Sequence, residues 1–301
     1  MKQFSKPMSR RVFVRAGLAA SATTIAALLA GCQRPSNATS GQNGSAAQGA
    51  DPSEAVLAKK QLRIGMEAAY APYNWQVSEE SEFTIPIDNV PGAFADGYDV
   101  QIAKYLGEQM GFEPVAVKQS FSGLIDSLNN GQIDLIIAGM SATDERRQSV
   151  DFSEPYFVGS FGLFVMKGSS YENATKLSDF AGATVLGQKD TMLDDVIDEI
   201  PDVIHKTPVD SVPTVFSNLK QGTCDAVTFN TENEAGYIKQ NPDFVAVKFA
   251  PGEGFKEEVP CNVGMKKGST KLLETIDKTL AELKEDERQK LWDAVLERQP
   301  A

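Results

Sequence analysis

Arg146 is the residue best placed to hold an anion. It ends the run Ser141-Ala-Thr143-Asp-Glu-Arg146 just after an apolar stretch, so a helix starting there would aim its first amide N–H groups and a guanidinium fork at one point. A carboxylate suits that pair. Arg147 beside it reads as a solvent-facing charge. Other chemistries find few residues to work with. His205 is the single histidine and lies outside every motif described below, and Cys32, Cys224 and Cys261 are scattered, so a four-ligand zinc site would consume all of them. No metal and no cofactor is expected. No nucleophile stands beside a base, which leaves only carboxylates for acid–base work.

Alternating short apolar runs and helical patterns must carry these residues. Leu62–Met66 reads as a strand, Asp99–Met110 as a helix closed by Gly111, Glu113–Lys118 as a strand, Gly123–Asn130 as a helix and Asp134–Ala138 as a buried strand. A second set follows, with strand Ala183–Gly187, helices near Met192–Glu199 and Val212–Gln221, and strand Asp225–Phe229. Lys271–Glu297 is expected to be helical, with Leu272, Ile276, Leu280 and Leu283 at helical spacing. The order is α/β. Leu128-Asn-Asn-Gly131-Gln-Ile-Asp134 and Leu219-Lys-Gln-Gly222-Thr-Cys-Asp225 repeat the spacing L-x-x-G-x-x-D before an apolar strand. In each, glycine can take the left-handed position that ends a helix. Two similar α/β lobes are the expected source of the echo.

The chain has 301 residues with 41 acids against 29 bases, a net charge of −12 that argues against nucleic acid or anionic headgroups as partner. The charge is unevenly spread. Residues 1–31 contain five bases and no acid, then an uncharged stretch Ala16–Ala30 running into Leu29-Ala30-Gly31-Cys32. That is the layout of a secretory signal. Its apolar part reaches only about 22 Å against the ~30 Å hydrocarbon core, and it has no polar face to lie along a surface. Ser9-Arg10-Arg11-Val12-Phe13-Val14 resembles the twin-arginine export signal, although an arginine pair also occurs in general secretory signals. Leu29-Ala30-Gly31-Cys32 resembles a bacterial lipobox, in which the cysteine is lipidated and becomes the first mature residue. Residues 1–31 are therefore expected to be a lipoprotein signal peptide and 32–58 a lipidated cysteine with a flexible tether. Acyl chains on Cys32 would anchor the protein, and the remainder would carry 24 bases against 41 acids, a net charge near −17.

Five motifs then occur in order: Leu62-Arg-Ile-Gly-Met-Glu-Ala-Ala-Tyr70-Ala-Pro72, Gly97-Tyr-Asp99-Val-Gln-Ile-Ala103, Phe121-Ser-Gly-Leu-Ile125, Gly139-Met-Ser141-Ala-Thr143-Asp-Glu-Arg146 and Val150-Asp-Phe-Ser153-Glu-Pro-Tyr156. The succession resembles the bacterial extracellular solute-binding proteins of family 3, the polar-amino-acid receptors of ABC importers. The resemblance implies a two-lobed α/β fold of the type II periplasmic-binding-protein kind, hinged on two crossing strands. Residues 59–157 plus 257–301 would form lobe 1 and 158–256 lobe 2, closing on a ligand between them.

By the same resemblance, Ser141 and Gly139 would contribute a hydroxyl and backbone groups to the ligand, and Tyr70 and Phe121 would sandwich its side chain. Glu67 stands where many relatives carry an acid, able to meet a basic side chain or to orient nearby donors. Lobe 2 departs from the pattern. A Gly-Thr-Thr turn is replaced by Asp190-Thr191-Met192, leaving Thr191 as the ligand contact, and the usual acid for the ligand ammonium is Asn230. An amide accepts one hydrogen bond but supplies no counter-charge. Either Glu232 or Glu234 swings in to replace it, or the ligand is not a standard α-amino acid. Met192 and Met140 read as packing, Cys224 and Cys261 as two buried thiols, and the long segment Gln76–Ala95 as a possible rim of the cleft.

The function so implied is a monomeric, lipid-anchored, extracytoplasmic receptor. It would take up a Lys-, Arg-, His- or Gln-like amino acid and deliver it to a membrane permease and its ATPase. It would touch the membrane through its anchor only and bind no nucleic acid. Two alternatives are an enzyme on the same scaffold, such as a dehydratase acting on a small carboxylate, and a ligand sensor, for which the chain shows no attached signalling segment.

Overall fold

A computed structural model describes residues 51–300, and the expected export signal, Cys32 and most of the expected tether lie outside the described residues. The tether ends sooner than residue 58. Ser53–Leu57 is a helix, with Ser53 fully buried and its Oγ accepting the Leu272 amide at 2.9 Å. Asp51 accepts the Lys271 amide, so two of the unpaired N–H groups at the start of helix Thr270–Glu282 are satisfied from a distant segment.

One sheet runs through the body. Its order from edge to edge is Ile204–His205, Thr184–Leu186, Ala226–Asn230, Val150–Met166, Glu258–Lys266, Leu135–Ile136, Gln61–Met66 and Glu113–Lys118. Three strands at each end are parallel, and between them the long strand Val150–Met166 and the return strand Glu258–Lys266 are antiparallel. The long strand changes partner midway. Up to Ser160 it pairs with the return strand, and from Phe161 it pairs with Ala226–Asn230. A separate buried cluster including Leu163, Phe180, Val185, Ile197 and Ala226 fills the second end of the sheet.

The L-x-x-G-x-x-D echo has a structural counterpart. Gly131 and Gly222 have φ of +71° and +67°, ending their helices in the left-handed region. Each aspartate then locks to one residue of the neighbouring parallel strand. Asp134 donates its amide to the Arg63 carbonyl at 2.8 Å and accepts the Arg63 amide on its carboxylate at 2.9 Å. Asp225 does the same with Thr184, at 2.8 and 2.7 Å. Asp134 also takes Lys59 and the Arg63 guanidinium. Burial alone would raise its pKa, but these hydrogen bonds outweigh it and hold the carboxyl below the ordinary range.

Two expectations are revised. The C-terminal helix is two helices, Thr270–Glu282 and Glu285–Arg298, because buried Leu283 is extended and Glu287 reaches back to the Lys284 amide to start the second. Three acids in its first turn suit a helix N-terminus. The segment Gln76–Ala95 lines no part of the cleft cavity described below. It folds into a small antiparallel sheet, and Asn89 exchanges hydrogen bonds with the Lys118 backbone at 2.7 and 2.9 Å, covering the free edge of Glu113–Lys118.

The two aspartate locks predict a graded loss of stability. Asp134→Ala, which strands two cations and an amide, should cost about 2–3 kcal/mol in urea unfolding, and Asp225→Ala about 1–2 kcal/mol. Equal, negligible losses would show that the echo is only a turn signature.

Candidate functional site

Gly139 follows the strand Leu135–Ile136 with φ of +61°, and a Cβ there would lie 3.3 Å from the Tyr70 ring. Only glycine fits both the backbone and the contact. Its amide donates to the Tyr156 hydroxyl at 3.1 Å, which donates to Asp99 Oδ1 at 2.6 Å. Asn74 donates to the other carboxylate oxygen at 2.7 Å, and its own Oδ1 accepts the Ala68 amide at 2.7 Å. One fully buried carboxyl thus ties the turn at Gly139 to the loop that carries Tyr70. Burial pushes the Asp99 pKa up to about 6, even against the hydrogen bonds from Tyr156 and Asn74, which pull it down.

Beyond Gly139, Asn262 of the return strand holds the next residues. It donates its amide to the Met140 carbonyl at 2.8 Å and accepts the Ala142 amide at 3.2 Å. Thr143 then caps the short helix Asp144–Arg147, accepting the Arg146 amide on its hydroxyl. The Arg146 guanidinium turns back over Phe121, 5.3 Å from the ring centre, and donates to the Ser141 carbonyl at 2.8 Å. Burial lowers its pKa from the ordinary arginine value. Arg147 is exposed, as read from sequence.

The facing wall comes from the second end of the sheet. Asp190, which replaces the glycine of the Gly-Thr-Thr turn that the resemblance implies, occupies the left-handed region at φ +59°, and its carbonyl accepts Arg146 Nη2 at 2.6 Å. Thr191 donates its hydroxyl to the Gln188 carbonyl at 2.7 Å. Asn230, at the end of its strand and 1% exposed, accepts the Tyr70 hydroxyl on Oδ1. Gln188 donates to Glu67 at 3.0 Å, and Tyr237 donates to the Ala71 carbonyl at 2.8 Å. Four hydrogen bonds therefore cross from one wall to the other.

Between the walls lies a cavity of about 30 Å³, room for about two waters. Tyr70, Phe121, Gly139, Ser141, Arg146, Thr191 and Asn230 all line it. Glu67 does not. It sits one hydrogen bond behind Gln188, and burial raises its pKa. Neither proposed substitute acid reaches the cavity. Glu232 accepts the Ser160 amide at 2.6 Å, and Glu234 pairs with Lys248. Sequence reasoning missed Phe161, Gln188, Leu193 and Val259 on the wall, and Met192, read as packing, lines it too. Only the neighbourhood of Thr191 signalled Gln188 and Leu193. Phe161 and Val259 reach the site through strand pairing across distant sequence, for which no local signal exists. His205 lies between Asp194 and Asp198, 2.8 Å from each, away from the cavity. Cys224 and Cys261 are buried free thiols, and burial pushes the former up to about 11.

A family model described as bacterial extracellular solute-binding proteins, family 3, matches residues 62–294. A probable histidine-binding protein of Campylobacter jejuni is 31% identical over 196 residues, covering 64% of this chain and 70% of that one. The L-arginine-binding protein of Pseudomonas aeruginosa is 31% identical over 222 residues, covering 71% and 79%. The amino acid ABC transporter substrate-binding protein AbpA of Streptococcus pneumoniae, solved bound to L-arginine, superposes with a TM-score of 0.68 at 28% identity, over 81% of this chain and 98% of that one. These relatives are binding proteins and not enzymes.

The buried carboxyl behind the site gives a pH signature. A folded value of about 6 against an ordinary 3.8 means that the stability contributed by neutral Asp99 is fully present below about pH 3.8 and lost as pH rises through 6. The unfolding free energy of the wild type minus that of Asp99→Asn should therefore fall by on the order of 3 kcal/mol between pH 4 and pH 7. A pH-independent difference in urea melts would contradict the assignment.

Proposed function

The chain belongs to the bacterial extracellular solute-binding proteins, family 3, and from that premise we propose that it is the lipid-anchored receptor of an ABC importer for a solute with an amino-acid skeleton. Its fold is the two-lobed α/β fold of the type II periplasmic binding proteins. In this reading Arg146 takes the ligand carboxylate on the guanidinium N–H groups that now reach the Ser141 and Asp190 carbonyls. Ser141 and the Gly139 backbone complete the lobe 1 contacts, with Tyr70 and Phe121 flanking the ligand body. Thr191 and Asn230 close from lobe 2, and Glu67 acts through Gln188.

One observation carries the reading. Residues from separate segments, Tyr70, Phe121, the run Gly139–Arg146, Thr191 and Asn230, converge on a single cavity with a half-buried guanidinium at its wall. The cavity is smaller than any amino acid, so ligand entry requires the four cross-wall hydrogen bonds to open. The hinge would lie where the long strand changes partner at Ser160 and Phe161 and where Glu258 begins its return. The expected lobe boundaries, 157/158 and 256/257, fall within a few residues of these points. Lipidated Cys32 would hold the receptor at the outer face of the cell membrane, where it hands its ligand to the permease and ATPase.

The arginine, glutamine, histidine and cystine named in the relatives head the ligand panel. Arg146→Ala should weaken whichever ligand binds by 100-fold or more, about 2.7 kcal/mol, in titration calorimetry. Unchanged affinity would remove Arg146 from the site. Recovery of the ligand unaltered after prolonged incubation separates a receptor from a dehydratase, and Cys32→Ser should move the protein from the membrane to the soluble fraction.

A further inference from the structure

The cleft wall carries one cation and no acid. Arg146 lines the cavity, and among the described residues no aspartate or glutamate side chain does. The acids nearest to it are occupied or displaced. Glu67 is behind Gln188, Glu232 is bound to Ser160, Glu234 is paired with Lys248, and Asp190 contributes its backbone carbonyl to Arg146. Asp195 feels the Arg146 charge but is not on the wall. A zwitterion brought here would meet a cation for its carboxylate but only neutral acceptors, such as the Ser141 and Thr191 hydroxyls, for its ammonium, whose charge would go uncompensated.

A second observation comes from Asn230. It is 1% exposed and on the cavity wall, its Oδ1 holds the Tyr70 hydroxyl proton, and its Nδ2 has no hydrogen-bond partner among the described residues. With the amide in this orientation and Oδ1 taken by the Tyr70 hydroxyl, the group left over is a donor. A buried donor without a partner is costly, and an oxygen acceptor would relieve it where an ammonium would oppose it.

We propose that this cleft selects carboxylates whose α-substituent is an uncharged oxygen acceptor, 2-oxo and 2-hydroxy acids, over the amino acids of the same skeleton. The proposal rests on Arg146 as carboxylate anchor and narrows the ligand class named above. The carboxylate neutralises Arg146, and the α-oxygen accepts from Asn230 Nδ2 while the Tyr70–Asn230 contact stays made. The ligand body lies against Phe121, Phe161, Met192 and Val259, apolar walls that need no charge from it.

The test is calorimetry of the full chain with matched pairs: L-leucine against 4-methyl-2-oxopentanoate, L-phenylalanine against phenylpyruvate, and L-methionine against its 2-oxo and 2-hydroxy analogues. In every pair that binds, the oxygen acid should be about tenfold tighter or more, and Asn230→Asp should reverse the order by restoring a counter-charge. Should that variant not fold, Tyr70→Phe serves instead. It frees Oδ1 to turn toward an ammonium and should narrow the preference at least threefold. Tighter binding of the amino acids by the wild type, still abolished by Arg146→Ala, would overturn the proposal and leave the receptor reading intact. Failure of both pair members and of the amino-acid panel above to bind would overturn both.

Discussion

A single buried carboxyl organises the lobe 1 side of the site. Asp99 is held in helix Tyr98–Met110, whose first amides reach the Pro72 and Tyr73 carbonyls, and it accepts from Tyr156 on the long strand and from Asn74 on the hairpin. Through those two partners it fixes the backbone at Gly139 and Ala68. Four segments are thereby referenced to one another at hydrogen-bond precision. A buried polar network of this kind is worth having only when every member is satisfied, because a broken link strands a group in a low-dielectric interior. The cleft inherits its lobe 1 geometry from a residue that does not line it.

The two crossing strands supply the complementary property. Each end of the sheet is a small parallel unit with its own aspartate lock, and the ends are joined by the long strand and its antiparallel return. Two compact ends and a narrow join are the layout the proposed closure would use, with motion confined to a few residues. Cross-wall contacts at Tyr70–Asn230, Arg146–Asp190, Glu67–Gln188 and Ala71–Tyr237 are hydrogen bonds without a formal ion pair. Such bonds are modest in net energy, which suits the opening proposed above.

Charge is also unevenly distributed along the sequence. The first 31 residues carry five bases and no acid, and the remaining residues carry a net charge near −17, a sign that disfavours anionic surfaces as partners.

Local patterning by itself determined most of the elements and the repeat, while the break at Leu283 that splits the C-terminal helix escaped it. Gly111, Gly131 and Gly222 end helices because the left-handed position favours glycine, and that preference is written in the residue type. Arg146 was legible from the chemistry of its own run, whereas Tyr70, Phe121, Ser141 and Gly139 were legible only through the family resemblance that their motifs carry. Tertiary structure alone decided which acids face the cleft. Glu67, Glu232 and Glu234 are equally acidic on paper, yet one is sequestered behind Gln188 and the others bind Ser160 and Lys248. It also decided that Phe161 and Val259 meet there, since strand register across almost 100 residues sets that contact. Charge in a cavity is a property of three-dimensional neighbours, and no local period in the chain encodes it.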